Sequence, residues 1–158
     1  MIDITKDLPP LGHVGYVVDD VEANAEKYRR SLGMEKFMIY DFTPDNVWAD
    51  ERKLPGGCTL RIAIGSIKNG VKIELIQPIA GDTPHARFLR EKGPGVHHIA
   101  FYSKDYEEWR SYFKDKGAKF AFEAETEDEI IGYRRSFYAQ VPDMVGLIEI
   151  TEIARKRK

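Results

Sequence analysis

Apolar and polar positions alternate along the chain in a way that repeats once. From His13 the sequence reads HVGYVVDD, and from His98 it reads HIAFYSKD. Each copy starts with His, runs through apolar residues at strand spacing, and reaches an Asp seven positions later, Asp20 and Asp105. A helical pattern follows in both: VEANAEKYRRSLG ends at Gly33, and YEEWRSYFKDKG ends at Gly117. The two Asp residues stand where an N-cap is wanted and the two glycines where a left-handed C-cap is wanted. Tyr28 and Phe113 each fall fifteen residues after their His, as equivalent core-facing positions would. Three strand-like stretches come next in each half. They are KFMIYDF, CTLRIAIGS and VKIELIQ in the first, then AKFAFEA, YRRSFYAQV and GLIEITE in the second. Both halves therefore read as strand, helix, then three strands.

Between the halves, Asp82 or Thr83 can cap a short helix over about 83–92, with Pro84 tolerated in its first turn. The stretch from Thr43 to Gly57 is polar and rich in Pro and Gly, and reads as a loop. Residues 125–132, ETEDEIIG, read as an acidic loop or hairpin connection, and the final ARKRK as a solvated, frayed end. The expected organisation is one domain, 1–158, made of two modules at about 10–78 and 95–152.

Composition narrows the field. The 158 residues are 42% hydrophobic and 32% charged, enough apolar material for a core. Twenty-four basic residues against 26 acidic ones give a net charge of −2, so there is no general footprint for nucleic acid. Apolar runs are too short to span a bilayer, and the N-terminus lacks the basic start and apolar run of a signal peptide. The single Cys58 excludes an intrachain disulfide and any multi-cysteine zinc site, which makes a reducing, cytoplasmic setting the default expectation.

Four residues recur in register with the repeat. His13 and His98 open the first strand of each half, and Glu74 and Glu149 sit inside the last strand, in IEL and IEI. Alone, each Glu reads as a solvent-facing strand residue and each His as a structural one. As a duplicated pair, they would meet at one point between halves related by a pseudo-two-fold axis. Two imidazoles and two carboxylates suit one divalent ion of the Co, Ni, Mn, Fe, Zn or Mg kind, with positions left for substrate. The spacing to Asp105 selects His98 over His97, and it pairs Gly15 with Ala100 as small residues beside each His. By strand alternation His97 would face the opposite side of the sheet, with Ile99 and Phe101.

On these residues the chain resembles the vicinal-oxygen-chelate superfamily and, within it, the methylmalonyl-CoA epimerases. The most specific segment is DTPHARFLREKGPGVHHIAF, residues 82–101, supported by GHVGYVV, YRRSLGM and IELIQP. The resemblance implies an α+β fold with two tandem βαβββ modules forming a cupped, eight-stranded mixed sheet. It carries metal binding onto His13, Glu74, His98 and Glu149. It further implies an isomerase that moves an α-proton of an acyl-CoA thioester through a metal-stabilised enolate, with Glu149 as the candidate base, and it points to a homodimer.

Two segments depart from the epimerase pattern. Some epimerases carry a further Glu on the strand that here reads CTLRIAI, where the nearest residues are Leu60 and Arg61. The His-Pro-Lys stretch common near their C-terminus is replaced by Ala139, Gln140 and Val141. Substrate contacts are therefore open; Arg61 and Arg134 are candidates for a charged substrate, weighed against plain surface positions. A glyoxalase-type lyase acting on a hemithioacetal and a non-catalytic binding protein of the bleomycin-resistance kind are the alternatives.

Overall fold

A computed structural model describes residues 1–154 except Asn69, Ile130 and Ile131. The expectation for ARKRK beyond Ala154 lies outside the described residues, as do positions 130 and 131 of the expected loop 125–132, whose residues 125–128 continue a strand instead. In chain order the elements of the first half are α1 (Ile4–Asp7), β1 (Leu11–Val17), α2 (Val21–Leu32), β2 (Phe37–Phe42), β3 (Asn46–Ala49), β4 (Arg52–Lys53), β5 (Thr59–Ser66) and β6 (Lys72–Ala80). Helix α3 (Pro84–Lys92) follows. The second half comprises β7 (Gly95–Tyr102), α4 (Tyr106–Asp115), β8 (Lys119–Asp128), β9 (Gly132–Gln140) and β10 (Leu147–Ala154).

Both main helices end at a glycine with positive φ, Gly33 and Gly117, and α2 also starts on a side-chain cap. Asp20 Oδ1 accepts from the Ala23 N–H at 2.9 Å, and Gly33 closes α2 at φ 66°. Asp105 departs from expectation. Its backbone, at φ −91° and ψ 44°, is not extended, and its carboxylate makes no capping bond to α4. Instead the Ser103 hydroxyl accepts from the Asp105 N–H at 3.1 Å.

All strands join one sheet in the order β2-β5-β6-β1-β7-β10-β9-β8-β3-β4. The first four and the next four repeat one pattern. β1 runs parallel to β6 and β7 parallel to β10, and the other ladders are antiparallel. The registers also repeat, with Gly15 opposite Glu74 and Ala100 opposite Glu149.

The sheet has ten strands, not the expected eight, because part of the polar stretch 43–57 is a hairpin. Val47, buried at 1% exposure, anchors β3 against β8, and Asp50 and Glu51 turn the chain at φ 50° and 65°. Positive φ at both central residues is the geometry of a tight two-residue hairpin turn, usually signalled by Asn-Gly; Asp-Glu hides it. The hairpin also dictates curvature. β2 lies at one end of the strand order and β3 near the other, yet only residues 43–45 separate them. A linker that short spans at most about 14 Å, so the sheet must curl into a cup.

Alternation then sorts side chains between the faces. Ala63 and Leu75 point outward under α2 with Val21 and Ala25. Phe137, Ile148 and Ile150 point outward under the Trp109 and Phe113 of α4. Leu60, Ile62, Ile76, Phe122 and Tyr138 line the concave side.

Candidate metal centre

Each half delivers one His from its first strand and one Glu from its last onto the concave face. The parallel pairs β1–β6 and β7–β10 place these side chains as neighbours, and the antiparallel β1–β7 joint brings the two pairs together. His13 Nε2 lies 3.2 Å from Glu149 Oε2, 3.4 Å from Glu74 Oε1 and 3.3 Å from His98 Nε2. His98 Nε2 lies 3.1 Å from Glu149 Oε2 and 3.4 Å from Glu74 Oε1. One donor atom from each of the four falls within 4.8 Å of every other. Thus His13, Glu74, His98 and Glu149 meet.

All four are buried, so their charges must offset one another. Burial pulls His13 down, but the Glu74 charge and hydrogen bonds with both carboxylates override it and lift the imidazole to about 12. Burial likewise opposes a charged His98, and its contacts with Glu149 and Glu74 raise it. For the carboxylates burial acts upward and the imidazoles win. Glu74 falls to about 2, and Glu149 is held well below the usual carboxylate range.

The donor set fits one divalent ion. Neighbouring ligands of an ion bonded at about 2.1 Å stand about 3.0–3.4 Å apart, and the five separations above match that spacing. The four could therefore hold one metal, with mixed nitrogen and oxygen donors.

Outer contacts fix the rings. His13 Nδ1 lies 2.8 Å from the Tyr102 hydroxyl, and the Thr151 hydroxyl donates to Glu149 Oε1 at 2.7 Å. Gly15 makes room for His98, since a Cβ there would stand 2.1 Å from His98 Cε1.

His97 departs from strand alternation. Gly15 pairs with His98 but Tyr16 pairs with Val96, which leaves His97 as an extra, bulged residue. The bulge turns its ring toward His98 instead of away with Ile99 and Phe101. The two Nδ1 atoms are 3.0 Å apart, and the His97 ring packs on His85 and Phe88 of α3.

A cavity of about 490 Å³ opens from the cluster, bounded by Tyr40, Ile64, Tyr102 and Arg134 among others. Of the two candidate arginines, only Arg134 borders it. Arg61 is on the opposite face of β5, paired with Asp41 at 2.8 Å. The inward positions of β5 are Leu60, Ile62 and Ile64, so this strand offers the cavity no carboxylate.

Sequence reasoning passed over Tyr102 and Thr151, although each lies on its ligand's face by period two, four after His98 and two after Glu149. It also passed over His85, fully buried on α3 with Nε2 3.2 Å from the Tyr138 hydroxyl, where no periodicity marks it.

Comparison with known proteins decides the family. Residues 12–134 match the Glyoxalase/Bleomycin resistance protein/Dioxygenase superfamily. The chain belongs to this superfamily. Among its relatives, an ethylmalonyl-CoA/methylmalonyl-CoA epimerase of Cereibacter sphaeroides is 35% identical over 111 residues, 69% of this chain and 72% of the relative. A Streptomyces coelicolor methylmalonyl-CoA epimerase variant in complex with 2-nitronate-propionyl-CoA superposes with a TM-score of 0.68 at 25% identity, covering 94% of this chain and 99% of that one. The Mycobacterium tuberculosis methylmalonyl-CoA epimerase shares the fold, with a TM-score of 0.66 at 24% identity, covering 98% and 93%. Within the superfamily, then, this member is an epimerase-like enzyme. Among the described residues no helix is long and apolar enough to cross a membrane.

Proposed function

We propose that the chain is a metal-dependent epimerase acting on the α-carbon of an acyl-CoA thioester of the methylmalonyl type. The observation that carries this reading is the buried quartet of His13, Glu74, His98 and Glu149, three of which (His13, Glu74 and Glu149) line an open cavity. The similarity to ethylmalonyl-CoA/methylmalonyl-CoA epimerase supports the substrate class.

These four residues would hold one divalent ion, which supplies Lewis acidity for removal of a weakly acidic proton between two carbonyl groups. Glu149 is the proton-moving group. Thr151 ties down its Oε1, which leaves Oε2 as the atom presented toward the two imidazoles. A positioned carboxylate of this kind contributes on the order of a hundred- to ten-thousand-fold as general base. Tyr102 and His97 keep the two imidazoles oriented, each through the ring nitrogen that faces away from the quartet. Met38, Ile64 and Ile153 give the cavity apolar walls, which lowers the dielectric around the reacting carbon.

The metal-loaded protein should exchange the α-proton of methylmalonyl-CoA with solvent deuterium, read by mass spectrometry or NMR. Exchange at the background rate, together with isomerisation of a glutathione hemithioacetal, would replace this reading with the glyoxalase-type one.

A further inference from the structure

Arg134 is a cation without a counter-ion. It projects from β9 into the cavity, and its backbone pairs with Ile153, whose side chain also lines that space. Among the described residues no carboxylate lies within ion-pair distance of it, although the other arginines at 61, 87, 110 and 135 each have one. Its guanidinium carbon sits 4.6 Å from the centre of the Phe42 ring, and one Nη donates to the Tyr40 hydroxyl at 3.4 Å. Its Nε is buried with no hydrogen-bond partner. The two glutamates that attract it, Glu149 and Glu74, are engaged with the imidazoles. A half-buried guanidinium held by ring stacking and a phenol, with donors unspent, is arranged to receive an anion.

Tyr40 completes the arrangement. It stands on β2 opposite Ile62, on the inward side, and reaches Arg134 across the cup. Because its oxygen accepts from Arg134, its own O–H remains to be donated. Two donors from opposite walls then converge on one place beside the quartet. Lys72 and Lys104, exposed at the edge of the same cavity, add positive potential along the approach.

We infer that Arg134 and Tyr40 form a carboxylate clamp that selects thioesters bearing a free carboxylate beside the reacting carbon. The inference rests on the acyl-CoA reading above and deepens it. It accounts for substrate selection in a chain whose β5 strand has no acidic side chain toward the cavity. Malonyl-type substrates satisfy the clamp; a thioester with a methyl group in that place leaves the guanidinium unpaired.

The test compares malonyl-CoA with propionyl-CoA, which has a methyl group where malonyl-CoA has the carboxylate. Binding is measured by calorimetry on the full chain after chelation, so that a metal cannot hold the carboxylate. Wild type should prefer malonyl-CoA by roughly 10- to 100-fold, the scale of one charge-assisted hydrogen-bonded pair. Arg134→Met should erase the preference while leaving propionyl-CoA binding unchanged, which also serves as the control for folding. Arg134→Lys should restore part of it, and Tyr40→Phe should lose part. Equal wild-type affinities, or a preference that survives Arg134→Met, would overturn the clamp. Deuterium exchange on the metal-loaded wild type separates the two readings. Exchange with no arginine-dependent preference retains the epimerase and removes the clamp; an arginine-dependent preference without exchange does the opposite.

Discussion

Two adjacent histidines in β7 are placed differently, and their ring nitrogens divide them. His98 presents Nε2 to both carboxylates, whereas His97 reaches the centre only through His98 Nδ1 at 3.0 Å. If His98 Nε2 ligates an ion, its Nδ1 must carry the proton and donate to His97 Nδ1. Removing His98 deletes a donor; removing His97 only frees the ring to rotate. In calorimetric titration with cobalt, His98→Ala should therefore abolish stoichiometric binding. His97→Ala should bind with affinity lower by about 10–100-fold, the usual cost of losing a partner that orients a ligand. Equal loss in both variants would mean that His97 is itself a ligand. The placement of His98 beside both glutamates was legible in the sequence through the Asp spacing and the Gly15/Ala100 pair. The side taken by His97 was not, because a bulge breaks the period-two rule and leaves no mark in the residues themselves.

At the scale of elements, α3 does more than link the halves. Its first turn, capped by the Thr83 hydroxyl accepting from the Ala86 N–H, inserts His85 against Phe122 and Tyr138. All four histidines of the chain thereby fall into one connected cluster. Burial is the main reason that His85 is pushed down to about 3, with the neighbouring His98 charge adding to it. Its ordinary value is about 6.5, so between about pH 6.5 and 3 the unfolded chain takes up a proton that the folded chain refuses. Stability contributed by this group is thus complete above about pH 6.5 and lost as the pH falls. Between pH 7 and 5, chelated wild type should lose about 2 kcal/mol more than His85→Phe in denaturant unfolding, at about 1.4 kcal/mol per pH unit. Parallel losses would show that His85 is not held neutral. The pattern of strands and of α2 and α4 could be read directly, since each carries a period and end signals. The β3–β4 hairpin could not, because its four apolar-to-polar steps are short and its Asp50-Glu51 turn adopts positive φ without Gly or Asn. His85 has no period either; only the packing of α3 against the concave side reveals what it does.

For the molecule as a whole, the quartet is also the meeting point of the two halves. Each contributes one His and one Glu, and the halves join through two ladders, β1 with β7 at the quartet and β3 with β8 away from it. In the unfolded chain Glu149 is 136 residues from His13, so no comparable site survives unfolding. An ion held by these four residues would bind the folded state alone, and its binding energy would appear as added stability. At an ion concentration about 100 times the dissociation constant, the gain is about 2.7 kcal/mol. A chain of this size shifts its Tm by about 2–4 °C per kcal/mol, which predicts a rise of about 5–10 °C on adding cobalt or nickel to chelated protein. Chelator should reverse the rise. Glu149→Ala should eliminate it, because the remaining three donors lose the carboxylate nearest to both imidazoles. Scanning calorimetry decides the matter without any substrate. A Tm that ignores the ion, or a rise of the same size in Glu149→Ala, would remove the quartet as the place where an ion ties the halves together.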